Sequence, residues 1–178
     1  NSTYVLQRKF DPEATLSAVE EHQASALVVV PVMMQRILQL SEETLAKYDL
    51  PSLRVTAASG SALPGPLALN WMDHFGDNLY NLYGSTEVAW ATIATPEDLR
   101  TAPGTAGQPP RGTVVTIVDS EGESELPTGE TGRVFVGNDM AFEGYTGGGG
   151  KDEYQGLLSS GDVGHFDDPS WHDRLGRA

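Results

Sequence analysis

Leu27-Val28-Val29-Val30 is apolar at every position, and Pro31 follows it directly. A strand with one wet face alternates polar and apolar residues. A strand apolar throughout is covered on both faces, as in a parallel sheet between helices. The flanking segments fit that arrangement. Asp11 then Pro12 is a helix start, an N-cap followed by proline at the first helical position. Leu16, Val19 and Ala26 mark a buried face as this segment runs toward the strand. Pro31 can open the next helix, where Met34, Ile37, Leu38 and Ser41 share one face. Leu53 to Ala58 reads as a second strand and Ser59-Gly60-Ser61 as a turn. Pro64 then starts a helix with Leu67, Trp71 and Phe75 spaced four apart, and Ala68 and Met72 beside them. Gly76 ends it, and Leu79 to Tyr83 reads as a third strand. Repeated β-α-β of this kind predicts an α/β fold, parallel-sheet layers with helical cover.

Composition changes near Pro96. From Thr105 to Asp167 the segments are short, alternating and punctuated by glycine. Thr113 to Val118 and Arg133 to Val136 read as strands, with turns at Asp119-Ser120-Glu121-Gly122 and Pro127-Thr128-Gly129-Glu130. The expected organisation is therefore an α/β subdomain over 1–96 and a smaller β-rich, distorted barrel-like subdomain over 97–170. The run Thr146 to Gly150 reads as a loop.

Charge narrows the partners. Eleven basic residues oppose 25 acidic ones in 178 residues, for a net charge of −14. Nucleic acid would meet repulsion, and so would an anionic membrane surface. The chain has no cysteine, which excludes a thiolate nucleophile and a cysteine-based zinc site. The four histidines lie far apart, without metal-ligand spacing. Ala26 to Met34 is too short to span a bilayer. The expectation is a cytoplasmic protein without an integral membrane segment.

Chemistry concentrates in Asn81-Leu82-Tyr83-Gly84-Ser85-Thr86-Glu87, at the carboxyl end of a strand, where α/β sheets bind ligands. A tyrosine offers a flat face to a purine. A threonine hydroxyl can donate to phosphate, and a glutamate can hold Mg²⁺. Residue types alone leave equal room for a strand ending in a turn, with Ser85 or Thr86 capping a helix. A second signal is Ser160-Gly161-Asp162, whose carboxylate can accept from both hydroxyls of a ribose; alone it reads more simply as a turn aspartate. A third is Ala58-Ser59-Gly60-Ser61-Ala62-Leu63-Pro64, a small-residue turn at a strand end.

The order and spacing of these pieces resemble the adenylate-forming superfamily of acyl-CoA synthetases, adenylation domains and luciferases. Val30-Pro31-Val32-Met33, Pro103-Gly104-Thr105-Ala106-Gly107, Gly129-Glu130-Thr131-Gly132, Gly144-Tyr145 and Ser160-Gly161-Asp162-Val163-Gly164 are similar to further family segments. The resemblance implies roles. Asn81 would bond the adenine amino group, and Tyr83, with Gly84 beside it, would stack on the ring. Thr86 would contact the α-phosphate, and Glu87 would help hold Mg²⁺. Asp162 would bind both ribose hydroxyls. Ser61, Ala62 and Leu63 would border the adenine, with Gly60 near the acyl chain. Arg177 looks like the arginine that touches the ribose before the family's hinge, within an approach to that hinge over 171–178. Two departures stand out. Leu63 intervenes before the proline of the third motif, and Trp171-His172-Asp173 replaces the usual residues before Gly176-Arg177.

The resemblance implies an acid–thiol ligase of the fatty acyl-CoA synthetase type, using ATP, Mg²⁺ and coenzyme A. An aryl-CoA ligase or a peptide-synthetase adenylation domain are the alternatives, and a non-catalytic nucleotide- or protein-binding module is the reading of another class. Asn1 is not a start methionine. The family's lysine-bearing phosphate loop is expected upstream of it, and a C-terminal domain downstream of Ala178. Gly147-Gly148-Gly149-Gly150-Lys151-Asp152 is no phosphate loop, because Tyr145 and Asp152 break the required spacing. Ser61 lacks the Gly-x-Ser-x-Gly elbow of a serine hydrolase.

Overall fold

The structure, a computed structural model, describes residues 2–142, 144, 146 and 149–167. Helix α1 (Pro12–Glu21) starts as its sequence demands: the Asp11 carboxylate accepts from the Ala14 N–H at 2.9 Å, with proline next in line. Strand β1 (Ala26–Val29) leads into α2 (Pro31–Leu38), which buries Met34 and Ile37. A short helix α3 (Glu42–Leu45) is capped by Ser41, which the sequence pattern places on the face of the preceding helix. Strand β2 (Val55–Ala58), helix α4 (Gly65–Phe75) and strand β3 (Leu79–Ser85) complete the β-α-β alternation. Next come β4 (Ala89–Ala94), α5 (Pro96–Thr101), β5 (Val114–Val118), β6 (Gly132–Gly137), β7 (Glu153–Tyr154) and β8 (Leu157–Gly164).

The first sheet has the order β1-β2-β3-β4 and the second β5-β6-β8-β7. The β1–β2 and β2–β3 pairings are parallel, as the β-α-β alternation predicts. The both-face cover expected of the apolar run is not found among the described residues: in β1 only Val29 is buried, and Val28 is 79% exposed. All three pairings of the second sheet are antiparallel. The fold class is thus the expected one. Two local expectations differ. Ala26 belongs to β1 and is exposed rather than part of a helix face. The segment after Tyr83 continues as strand and turns back through residues 86–88 into β4, where the sequence also allowed a capped helix.

The described residues form two compact units. One comprises the chain up to Asn81 together with Ala94–Thr105. The other comprises Leu82–Ile93 together with the described residues from Ala106 onward.

In the first unit Leu16, Met34, Ile37, Trp71, Met72, Leu79 and Leu99 are fully or almost fully buried. Each such side chain contributes roughly 1.5–3 kcal/mol on leaving water. Asn78 sits beside this core with its amide fully used. Its oxygen accepts from Thr56 Oγ1 at 3.0 Å and Trp71 Nε1 at 3.3 Å, and its nitrogen donates to the Phe75 and Leu53 carbonyls. A buried amide is tolerable only when satisfied in this way. Pro96 opens α5 behind a capping box in which Thr95 and Asp98 bond each other's backbone N–H groups. In the second unit Val88, Ala91, Val115, Ile117, Val134 and Val136 form a separate core, with Tyr83 packed against it.

Candidate functional site

The second unit draws together two residues that lie 79 positions apart. Tyr83 reaches the second unit's core from the outer half of β3, and its phenol oxygen lies 2.8 Å from Asp162 Oδ2 and 3.0 Å from Ser160 Oγ. The phenol donates toward both oxygens, its single proton shared between them, and the carboxylate is the stronger acceptor. Burial is the main reason the Tyr83 hydroxyl is pushed up to about 12. The Ser160 hydrogen bond pulls it down, and the Asp162 hydrogen bond and charge raise it again. Tyr83 is therefore a neutral, half-buried donor.

The position of Asp162 comes from an irregularity in β8. Arg133 pairs with Val163 and Phe135 with Ser159, so Val134 alone stands opposite Ser160, Gly161 and Asp162. Such a bulge bends the strand and re-aims a side chain. Gly161 takes φ +90, a conformation glycine adopts without penalty. Ser160 is buried in the bulge, whereas Asp162 is exposed. The expected turn aspartate is therefore a bulge aspartate held within a paired strand.

Ser85, Thr86 and Glu87 form the hairpin tip between β3 and β4. Ser85 Oγ donates to Glu87 Oε2 at 2.8 Å and accepts from the N–H groups of Glu87 and Val88. The Glu87 carbonyl accepts from the Phe142 N–H at 2.9 Å. Thr86 is exposed at the tip. Gly84 is required there, because a Cβ at this position would collide with the Ala89 carbonyl.

The remaining expected site residues lie in the first unit. Gly60 has φ +84 in the turn after β2, with Ser61 and Ala62 exposed beside it. The Leu63 side chain is 4% exposed and packs in the core, which leaves only its backbone to face a ligand. Asn81 is buried, and its amide nitrogen donates to the Thr105 carbonyl at 3.0 Å. Arg177, Tyr145 and the segment 171–178 fall outside the described residues. Among the described residues no group of three or more histidine, aspartate or glutamate side chains is placed to hold a metal ion. Glu87 on its own suits Mg²⁺, which takes one or two protein carboxylates and draws its other ligands from water and phosphate. No helix of the described residues is long and apolar enough to cross a membrane.

Residue typing alone credits Asp162 and passes over two serines. Ser160 joins Tyr83, the Asp162 backbone and Val134, and Ser85 orients Glu87. Both sit inside the quoted motifs, so adjacency to a candidate carboxylate was the signal available.

Residues 2–146 match the family model described as AMP-binding enzyme. The chain is 30% identical over 176 residues to 4-coumarate–CoA ligase 1 of Glycine max, covering 94% of this chain and 59% of that protein. It is 33% identical over 146 residues to feruloyl-CoA synthase of an Amycolatopsis species, covering 82% and 29%. Among solved structures, the amide bond synthetase McbA from Marinactinospora thermotolerans superposes with a TM-score of 0.81 at 28% identity, covering 91% of this chain and 34% of that one. The chain spans less than two thirds of the length of each of these relatives.

Proposed function

The chain belongs to the AMP-binding enzyme family, the adenylate-forming superfamily, and from that premise we propose that it is the nucleotide-handling part of an ATP-dependent acid–CoA ligase. In the first step the substrate carboxylate attacks the α-phosphorus of ATP, and pyrophosphate leaves. In the second, the thiol of coenzyme A attacks the acyl carbon, and AMP leaves. No protein side chain forms a covalent bond. The protein contributes positioning and charge placement.

The observation that carries this reading is the Tyr83–Asp162 contact at 2.8 Å. It sets an aromatic ring beside a carboxylate, the pair a nucleoside needs for base stacking and ribose binding. In this reading Asp162 accepts from the ribose hydroxyls, and Tyr83 offers its ring to the adenine. Asn81 would bond the adenine amino group. Thr86 donates to the α-phosphate. Glu87 would hold Mg²⁺, which supplies neutralisation of phosphate charge.

The acid is a finer matter. Small Gly60 and Ala62 support a fatty chain, and the names of the coumarate and ferulate relatives support an aromatic acid. Acid-dependent ATP–pyrophosphate exchange by the full-length polypeptide, measured with each acid class in turn, separates them.

The nucleotide reading is tested on this chain by calorimetric titration with AMP. Binding by wild type and a loss of about tenfold or more in Asp162→Ala is expected, from removal of charge-assisted hydrogen bonds. Equal affinities for the two proteins would sink it.

A further inference from the structure

Ser160 is 8% exposed, and its hydroxyl has three partners. It donates to the Val134 carbonyl at 3.2 Å, accepts from the Asp162 N–H at 3.2 Å and touches the Tyr83 phenol at 3.0 Å. These partners come from three strands. Val134 is the single β6 residue opposite the bulge, Asp162 is the residue the bulge projects, and Tyr83 is the ring donor from β3. In a regular ladder the Val134 carbonyl would be met by a backbone N–H. At a bulge that bonding is interrupted, and a buried carbonyl without a donor is costly. The Ser160 side chain supplies the donor. The same oxygen, through its lone pairs, anchors the peptide that carries Asp162.

From this geometry we propose that Ser160 is a positioning residue: it clasps the β8 bulge so that the Asp162 carboxylate and the Tyr83 hydroxyl are held in register for a ribose. The proposal rests on the nucleotide reading of Asp162 and adds to it a residue that need not touch the ligand. Asp162 is exposed, and among the described hydrogen bonds its carboxylate has only Tyr83 as a partner. Without the clasp, the glycine at its side leaves the carboxylate free to swing, and the entropy of fixing it falls on the binding step.

The test compares wild type with Ser160→Ala, which removes the hydroxyl, and Ser160→Thr, which keeps it. Ser160→Cys, near in size but a weak hydrogen-bonding group, stands in if Ser160→Ala does not fold. Two readouts are taken on the whole chain. The first is amide hydrogen exchange at Asp162 by NMR, which needs no ligand. Exchange is expected to accelerate about tenfold in Ser160→Ala and to stay at the wild-type rate in Ser160→Thr, in line with loss of one hydrogen bond. The second is the preference for AMP over the dideoxy analogue lacking both ribose hydroxyls. Wild type and Ser160→Thr should hold that preference, and Ser160→Ala should lose most of it while binding the analogue as wild type does. A mere loss of stability would weaken both ligands alike, and that result overturns the proposal. So does unchanged Asp162 exchange in Ser160→Ala. Wild type that shows no preference overturns the nucleotide reading itself, and the ribose role of Ser160 with it.

Discussion

Tyr83 ties ionisation to stability. In the unfolded chain a tyrosine titrates near about 10. In the fold, burial first and the Asp162 contact after it, against the opposing Ser160 bond, hold the Tyr83 proton up to about 12. Between those values the unfolded state releases a proton that the folded state keeps. Stability from this group is complete below about pH 10 and declines as pH rises toward 12. Tyr83→Phe removes that component. Urea midpoints at about pH 9 and about pH 11 should fall further in wild type than in Tyr83→Phe. Equal falls in the two proteins would place the Tyr83 proton elsewhere. Asn78 is held without titration: its four bonds come from α4, β2 and the backbone around them, and only the one to the Phe75 carbonyl, three residues back, is local in sequence.

At the level of elements, the β3–β4 hairpin sets where Thr86 and Glu87 stand. The turn spans residues 86–88, and Ala89 follows at φ 54, left-handed for a residue with a Cβ. Gly84 makes this possible, since any side chain there would meet the Ala89 carbonyl and the Trp90 Cα. Both obstacles are backbone, so they cannot rotate away. Gly84→Ala is expected to cost about 3 kcal/mol, at the upper range of overpacking in a well-packed site. Chemical denaturation measures it, and a cost below about 1 kcal/mol would show that the hairpin opens to admit a methyl group. The bulge of β8 is a second element-level device. It changes what one strand residue faces without breaking the pairing on either side of it.

On the scale of the whole molecule, the excess of acidic side chains governs how stability responds to salt. A net −14 on 178 residues makes the compact state repel itself at low ionic strength. Salt screens exposed charges beyond a distance of about 10 Å at 0.1 M. The thermal midpoint should therefore rise when sodium chloride is raised from about 0.01 M to about 0.5 M. Calorimetry reads this directly, and a midpoint that falls or stays level would mean that favourable surface pairs such as Arg100 with Asp73 and Asp77 outweigh the net repulsion.

By itself the sequence determined the class of fold and the types of α1, β1, α2, β2, α4, β3, β5 and β6, but not of α3, β4, α5, β7 or β8. The proline starts of α1 and α2 and the spacing of Ala68, Trp71 and Met72 on α4 are local patterns, and local patterns express a period that burial then uses. It also marked the motifs in which the candidate site residues lie. The tertiary structure decided the register. That three residues of β8 stand opposite Val134, that Ser160 fills the gap, and that β3 folds back into β4 instead of capping a helix all depend on which strands become neighbours. For β6 and β8, pairing is chosen by the summed burial and hydrogen bonding of distant segments, and no short window along the chain contains both partners.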